Sequence, residues 1–145
     1  MKLLATIDFS PVTDRIFEYL KKLENKQDIA VWLIHVVQPD PDFVGYEAGP
    51  QTERDFVAKK YSDKHKNIQE KATELRAAGL NVTPLLLQGA TVETILEEAN
   101  DVKADMIIAG SHGHGMMYDI FVGSVSRELL NKSEIPVLII PAEKD

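Results

Sequence analysis

Five short apolar segments rich in β-branched residues recur along the chain, and each gap between them contains a helical pattern. The segments span residues 3–7, 29–37, 82–87, 106–109 and 137–140. Most are apolar without alternation, as expected of parallel strands covered on both faces. Apolar residues at helical spacing occur over 13–23, 52–78, 91–100 and 124–131. The order β-α-β-α-β-α-β-α-β predicts one doubly wound α/β sheet with right-handed crossovers.

Residues at the ends of these patterns agree with the same order. Pro11 precedes the first helical pattern, Thr91 and Ser124 are expected N-caps, and Gly79 follows the long second helix as a C-terminal glycine. Residues 38–51, QPDPDFVGYEAGPQ, show no periodicity. A connection of that length after a strand predicts a functional flap.

Bulk composition excludes several classes of protein. A chain of 145 residues predicts a single domain, here 1–145, and its net charge of −7 argues against nucleic acid as a partner. The absence of cysteine excludes disulfides and thiolate chemistry, and four histidines alone make a poor metal site. No apolar run reaches the roughly 20 residues that span a membrane, and the N-terminus is a poor signal peptide. We therefore expect a cytoplasmic protein.

A glycine-rich loop after the fourth segment predicts a phosphate site. Residues 110–115 read GSHGHG, and GSVS follows at 123–126, where the last helical pattern begins. Glycine allows close backbone approach, and the first turn of a helix offers unpaired N–H groups and a positive dipole end. Ligands of open α/β sheets collect at the carboxyl ends of the strands, where Asp8 and Val36 also lie. Asp8 can accept from a ribose hydroxyl or help to hold a metal, and Val36 or Val37 can pack against a base.

The loop spacing resembles that of a known family. Gly110, Gly113 and Gly123-Ser124 match the G-x2-G-x9-G-[S/T] signature of ATP-binding universal stress proteins. The segments KLLATIDFS, LIHVV, IIAGSHGHG, VGSVS and PVLIIP are similar to that family too, in the same order.

The resemblance implies a Rossmann-like fold with helices on both faces of a five-stranded parallel sheet, strand order 3-2-1-4-5. It implies ATP, with Mg²⁺ held by the phosphates. By motif position Asp8 and Val36 contact ribose and adenine. The phosphates are cradled by Gly110, Gly113, Gly123, Ser124 and Ser126. Neighbouring residues complete the predicted site: Thr6, Ala109, His112, His114 and Val125. The resemblance also implies a homodimer that pairs last strands through Val137, Leu138, Ile139 and Ile140.

Some alternatives stay open at the level of sequence. Residues 114–122, HGMMYDIFV, contain no lysine or arginine, whereas many relatives have a basic residue here, so AMP, ADP or another adenine ligand stays open beside ATP. Asp8 can instead form an Asx turn before Pro11. His35 is expected to be a core histidine, and Lys59, Lys60, Lys64 and Lys66, among acidic residues, to lie on a solvated helix face.

Three functions follow, of which a nucleotide-dependent stress-response regulator with an unknown protein partner is preferred. The others are a slow ATP hydrolase or nucleotide-processing enzyme in the same pocket, and a ligand-free dimerisation module. No catalytic residue is predicted, because phosphoryl transfer needs a cation and a positioned nucleophile that the sequence does not display.

Overall fold

Nine helices and strands alternate in the computed structural model, which describes residues 1–39, 51–111 and 122–143. The strands are β1 (Lys2–Thr6), β2 (Ala30–Val37), β3 (Asn81–Gln88), β4 (Met106–Gly110) and β5 (Val137–Ile140). The helices are α1 (Val12–Lys21), α2 (Gln51–Ala77), α3 (Thr91–Asp101) and α4 (Ser124–Lys132), and a short 3₁₀ turn spans Lys26–Asp28. The strands form one parallel sheet in the order β3-β2-β1-β4-β5. The predicted fold class and strand order are confirmed.

Each face of the sheet is covered by two helices. On one face α1 and α2 bury Phe17, Ile68 and Leu75 against alternate strand residues such as Leu33. On the other face α3 and α4 bury Ile95 and Leu129 against the remaining strand residues. Because both faces are covered, the strand residues that point to either face must be apolar, which explains the continuous apolar segments.

The N-caps of α3 and α4 each lie one residue before the predicted ones. Ala90 and Gly123, both in extended conformation, are the N-caps of α3 and α4, so Thr91 and Ser124 are the first helical residues. The prediction of Thr91 and Ser124 as N-caps is wrong, and neither helix has a side-chain cap hydrogen bond. Gly79 follows α2 with φ +95°, the left-handed conformation expected of a C-terminal glycine.

The topology leaves a crevice at one edge of the sheet. In the sheet β2 lies on one side of β1 and β4 on the other side of β1. The helices α1 and α2 therefore cover one face of the sheet, and α3 and α4 cover the other. Ligands bind at this kind of switch point because the connections diverge there. Within the described ranges, no helix is both long enough and apolar enough to cross a membrane.

Candidate functional site

An open cleft of about 850 Å³ lies at the carboxyl ends of β1, β2 and β4. Its volume is within the range of small-molecule sites, about 300–1,000 Å³. Among the described residues, the strand ends, the first turns of α3 and α4 and one side of α2 contribute to its wall. The lining residues are Thr6, Ile7, Asp8, Phe9, Val12, Ile16, His35, Val36, Gln38, Lys64, Asn67, Thr91, Gly110, Ser111, Gly123, Ser124, Val125 and Ser126.

The turn between β1 and α1 places a carboxylate at the cleft. Asp8 Oδ1 accepts a hydrogen bond from the backbone N–H of Ser10 at 2.9 Å. This is the Asx turn left open by the sequence, and Asp8 still lines the cleft. Turn formation and ligand contact are therefore compatible, because a carboxylate has acceptor sites to spare.

Two short hydrogen bonds join the end of β4 to the start of α4. The hydroxyl of Ser126 donates to the carbonyl of Gly110 at 2.5 Å. The N–H of Gly123 donates to the carbonyl of Ser111, also at 2.5 Å. These contacts hold the two ends of the glycine loop together. Residues 112–121 lie outside the described residues, and with them the predicted site residues His112, Gly113 and His114.

The first turn of α4 presents unpaired donors to the cleft. The first backbone bond of this helix runs from Arg127 N–H to the carbonyl of Gly123. Within the described part of the chain, the N–H groups of Ser124, Val125 and Ser126 have no acceptor. All three residues line the cleft. Three free donors at the positive end of a helix form a site suited to an anion.

Gly110 must be glycine because of a close neighbour. A Cβ at this position would lie 2.4 Å from Cγ1 and 2.7 Å from Cγ2 of Val12. Real Cβ contacts are never that short, so a larger residue would displace the start of α1. This glycine therefore has a packing role beside any ligand role.

The structure brings most predicted site residues to one cavity. Eight of them line the cleft: Thr6, Asp8, Val36, Gly110, Gly123, Ser124, Val125 and Ser126. Ala109 does not, because it is fully buried in the core on the α3–α4 face of the sheet. Ser126 is 3% exposed, and its hydroxyl hydrogen already bonds Gly110, so its backbone N–H is the donor that it offers a ligand.

Sequence reasoning missed a cation in the cleft. Lys64, expected on a solvated helix face, is half-buried and lines the cleft, so that expectation is wrong for this residue. It is the only Lys or Arg among the described lining residues. The helical spacing could have indicated this position, because Lys64, Ile68 and Ala72 are spaced at i, i+4, i+8 and so lie on one side of α2. Ile68 and Ala72 are both fully buried. His65, the next residue of α2, is exposed.

His35 lies beside Asp8 and is half-buried rather than wholly in the core. Its Nδ1 lies 2.8 Å from the carbonyl oxygen of Ile7. Burial lowers the pKa of His35, and the charge of Lys64 lowers it further, against the opposing effects of the Ile7 carbonyl and Asp8. The described lining of the cleft therefore combines one carboxylate, Asp8, one lysine, Lys64, and an imidazole whose neutral form is favoured by burial.

Known proteins resemble this chain over almost its full length. The model of the Universal stress protein family matches residues 1–141. The chain is 26% identical to the universal stress protein MJ0577 of Methanocaldococcus jannaschii, with 96% of this chain and 93% of that protein covered. A universal stress protein of Thermus aquaticus is 30% identical, with 74% of each chain covered. The solved structure of MJ0577 superposes with a TM-score of 0.80 at 28% identity, covering 99% of this chain and 97% of that chain.

Proposed function

Since the chain belongs to the universal stress protein family, we propose that it is a regulatory protein that binds an adenine nucleotide in the cleft. The observation on which this proposal depends is the first turn of α4, where three unpaired N–H groups open into a cavity that also contains Asp8 and Val36. Donors for phosphate, a carboxylate for ribose hydroxyls and an apolar side chain for a base are what a nucleotide requires.

Each part of the nucleotide has a chemically matched group. Asp8 accepts hydrogen bonds from the ribose, and Val36, only 9% exposed, packs against the base. The phosphates bind at Gly110, Gly123, Ser124 and the N–H of Ser126. The remaining predicted members of the site, His112, Gly113 and His114, belong to the segment between β4 and α4 that the structure does not describe.

Solved relatives support an adenine nucleotide as the ligand class. An Arabidopsis thaliana member of the family holds AMP, an Archaeoglobus fulgidus member is in complex with dAMP, and a third universal stress protein is in complex with cAMP. These proteins are 18–19% identical to this chain, so what they share with it is the fold. ATP fits this cleft because Lys64 supplies a positive charge that residues 114–122 lack.

Magnesium fits the cleft as an ion held mainly by the nucleotide. Mg²⁺ usually keeps several waters and binds one or two carboxylates together with substrate phosphates. Asp8 is the single carboxylate among the described lining residues, and one of its oxygens already accepts from Ser10. The ion would neutralise phosphate charge, with Asp8 the residue able to reach it or its waters.

The chemistry of the cleft favours regulation over turnover. Fast phosphoryl transfer needs dense positive charge and a positioned nucleophile. The described lining residues offer one lysine and one carboxylate. In our proposal ATP shifts the population of conformations of the loop and of the segment after β2, and a protein partner in the cytoplasm senses the change.

A homodimer through β5 is part of the proposal. β5 is an edge strand of the sheet. Because Ser111 N–H donates to the carbonyl of Ile140, the backbone N–H and C=O groups of even-numbered β5 residues point toward β4. By alternation, the N–H of Ile139 faces the open edge. Ile139→Pro removes that donor, whereas Ile139→Ala keeps it. Light scattering after gel filtration should give a monomer for the proline variant and a dimer for the alanine variant. A dimeric proline variant would place the interface elsewhere.

Calorimetric titration of the nucleotide-stripped protein tests the proposed ligand. We expect Mg·ATP to bind with Kd near or below about 10 μM, roughly −7 kcal/mol, and GTP to bind more weakly. Absence of binding by ATP, ADP and AMP alike would reject the proposal. Multiple-turnover ATP hydrolysis that Asp8→Asn abolishes would favour the enzyme instead.

A further inference from the structure

The residues on either side of Asp8 both contact one side chain, His35 of β2. Ile7, before Asp8, has its carbonyl oxygen 2.8 Å from His35 Nδ1. Phe9, after Asp8, packs its ring edge-on against the imidazole, with the ring centroids 4.8 Å apart at an interplanar angle of 63°. His35 thus fixes the backbone before Asp8 and the side chain after it.

The chemistry of the Ile7 contact determines the tautomer of His35. A carbonyl oxygen only accepts, so Nδ1 must carry a hydrogen. Burial lowers the pKa of His35, which favours the neutral ring at neutral pH. In the Nδ1–H form the ring donates to the Ile7 carbonyl, so the contact is a hydrogen bond as well as a packing contact.

The turn that His35 holds has an uncommon conformation. Phe9 has φ 61°, the left-handed region that bulky residues seldom adopt. Such conformations persist where the surroundings impose them, and they are frequent at functional sites. The His35 ring contacts the Phe9 side chain in this conformation. The Asp8 carboxylate accepts from Ser10 within this same turn, so its direction depends on the conformation of the turn.

We propose that His35 is a positioning residue of the cleft, which holds the turn of residues 7–10 so that the Asp8 carboxylate faces the hydroxyls of a bound ribose. The ribose part of this inference rests on the function proposed above. The positioning part concerns the free protein and is tested without nucleotide.

Two variants separate the two contacts of His35. His35→Phe keeps an aromatic ring for Phe9 but removes the donor to Ile7. His35→Asn keeps a donor near the Nδ1 position but removes the ring. His65→Phe, the same exchange at an exposed position of α2, is the matched control. Circular dichroism and Trp32 fluorescence establish that each variant is folded.

Hydrogen exchange of the Ser10 amide, followed by NMR in the free protein, tests positioning directly. This amide donates to Asp8 Oδ1. We expect its exchange to accelerate about tenfold in His35→Phe, since a hydrogen bond to a charged group is weakened. His35→Asn should restore part of the protection and His65→Phe should change nothing. Unchanged Ser10 exchange in both His35 variants would overturn the inference, whether or not the protein binds nucleotide.

Comparison of ATP with 2′,3′-dideoxy-ATP tests the consequence for the ligand. We expect wild type to prefer ATP about tenfold, since only ATP offers hydroxyls to Asp8. In His35→Phe this preference should fall toward that of Asp8→Asn, because affinity for ATP drops and affinity for the dideoxy nucleotide is kept. An equal loss for both nucleotides would show a merely structural role and overturn the inference. Wild type that binds neither of these nucleotides, nor ADP or AMP, would reject the proposed function, with Ser10 exchange still deciding the positioning role.

Discussion

Replacing Ser124 with aspartate should move protein stability and nucleotide affinity in opposite directions. Ser124 is exposed, is the first residue of α4 and lines the cleft. A carboxylate in the first turn of a helix interacts favourably with the helix dipole, typically by about 0.3–1 kcal/mol. The same carboxylate would stand where the phosphates are proposed to bind. Loss of binding without loss of stability therefore points to the phosphate site itself.

The size of the binding loss follows from Coulomb's law. At a separation of about 5 Å, one phosphate charge and one carboxylate repel by about 0.8 kcal/mol in water and about 3.3 kcal/mol at an effective dielectric of about 20. Because Ser124 is exposed, the true value lies between these limits, from about fourfold to over a hundredfold in Kd. ATP should lose more than AMP, since it brings more charge.

Calorimetric titration and urea unfolding measure the two effects in the same preparations. Ser124→Asn controls for loss of the hydroxyl, and Ser62→Asp adds the same charge at an exposed position of α2 outside the described cleft. Both controls should bind ATP within a few-fold of wild type. A Ser124→Asp variant that binds ATP normally would refute the assignment of the phosphates to the start of α4.

Three further predictions concern the walls of the cleft. Gly110→Ala should destabilise by about 1–3 kcal/mol in urea unfolding, because its Cβ would lie 2.4 Å from Val12 Cγ1. Adding Val12→Ala should relieve that clash, and additive effects would contradict it. Since burial lowers the pKa of His35 in the folded state, the unfolded chain binds the proton more readily. The stability that this group contributes is complete above about pH 6.5, and it falls as the pH drops toward the pKa of the folded state. The free energies of unfolding of wild type and His35→Phe should therefore diverge over that pH range. Parallel pH profiles for the two proteins would refute this prediction. Lys64→Gln should weaken ATP binding severalfold and AMP binding less, because ATP has more charge. The control Lys60→Gln, on an exposed part of α2, should leave the affinity for both nucleotides unchanged. Equal losses of affinity for ATP and AMP would contradict a charge effect.

Local pattern was sufficient for the elements and their order. Buried parallel strands must be apolar on both faces, so each of the five strands stands out in the sequence, and 3.6-residue spacing marks the helices between them. The resemblance on glycine spacing supplied the strand order, which the sheet confirms. The N-caps of α3 and α4 were less predictable, because an extended Ala90 or Gly123 caps a helix without a side-chain hydrogen bond and leaves no side-chain signal.

The amino-acid sequence by itself determined the α/β class, the family and the residues that lie at the carboxyl ends of the strands, because these depend on local periodicity and on motif spacing. Only the tertiary structure decided what those residues touch. Val12 requires glycine at position 110, and His35 reaches the carbonyl of Ile7, 28 residues away. Lys64 becomes the cation of the described part of the cleft because α2 packs across β2 and β3. Contacts between residues distant in the chain leave no periodic trace, so they emerge only when the sheet brings its elements together.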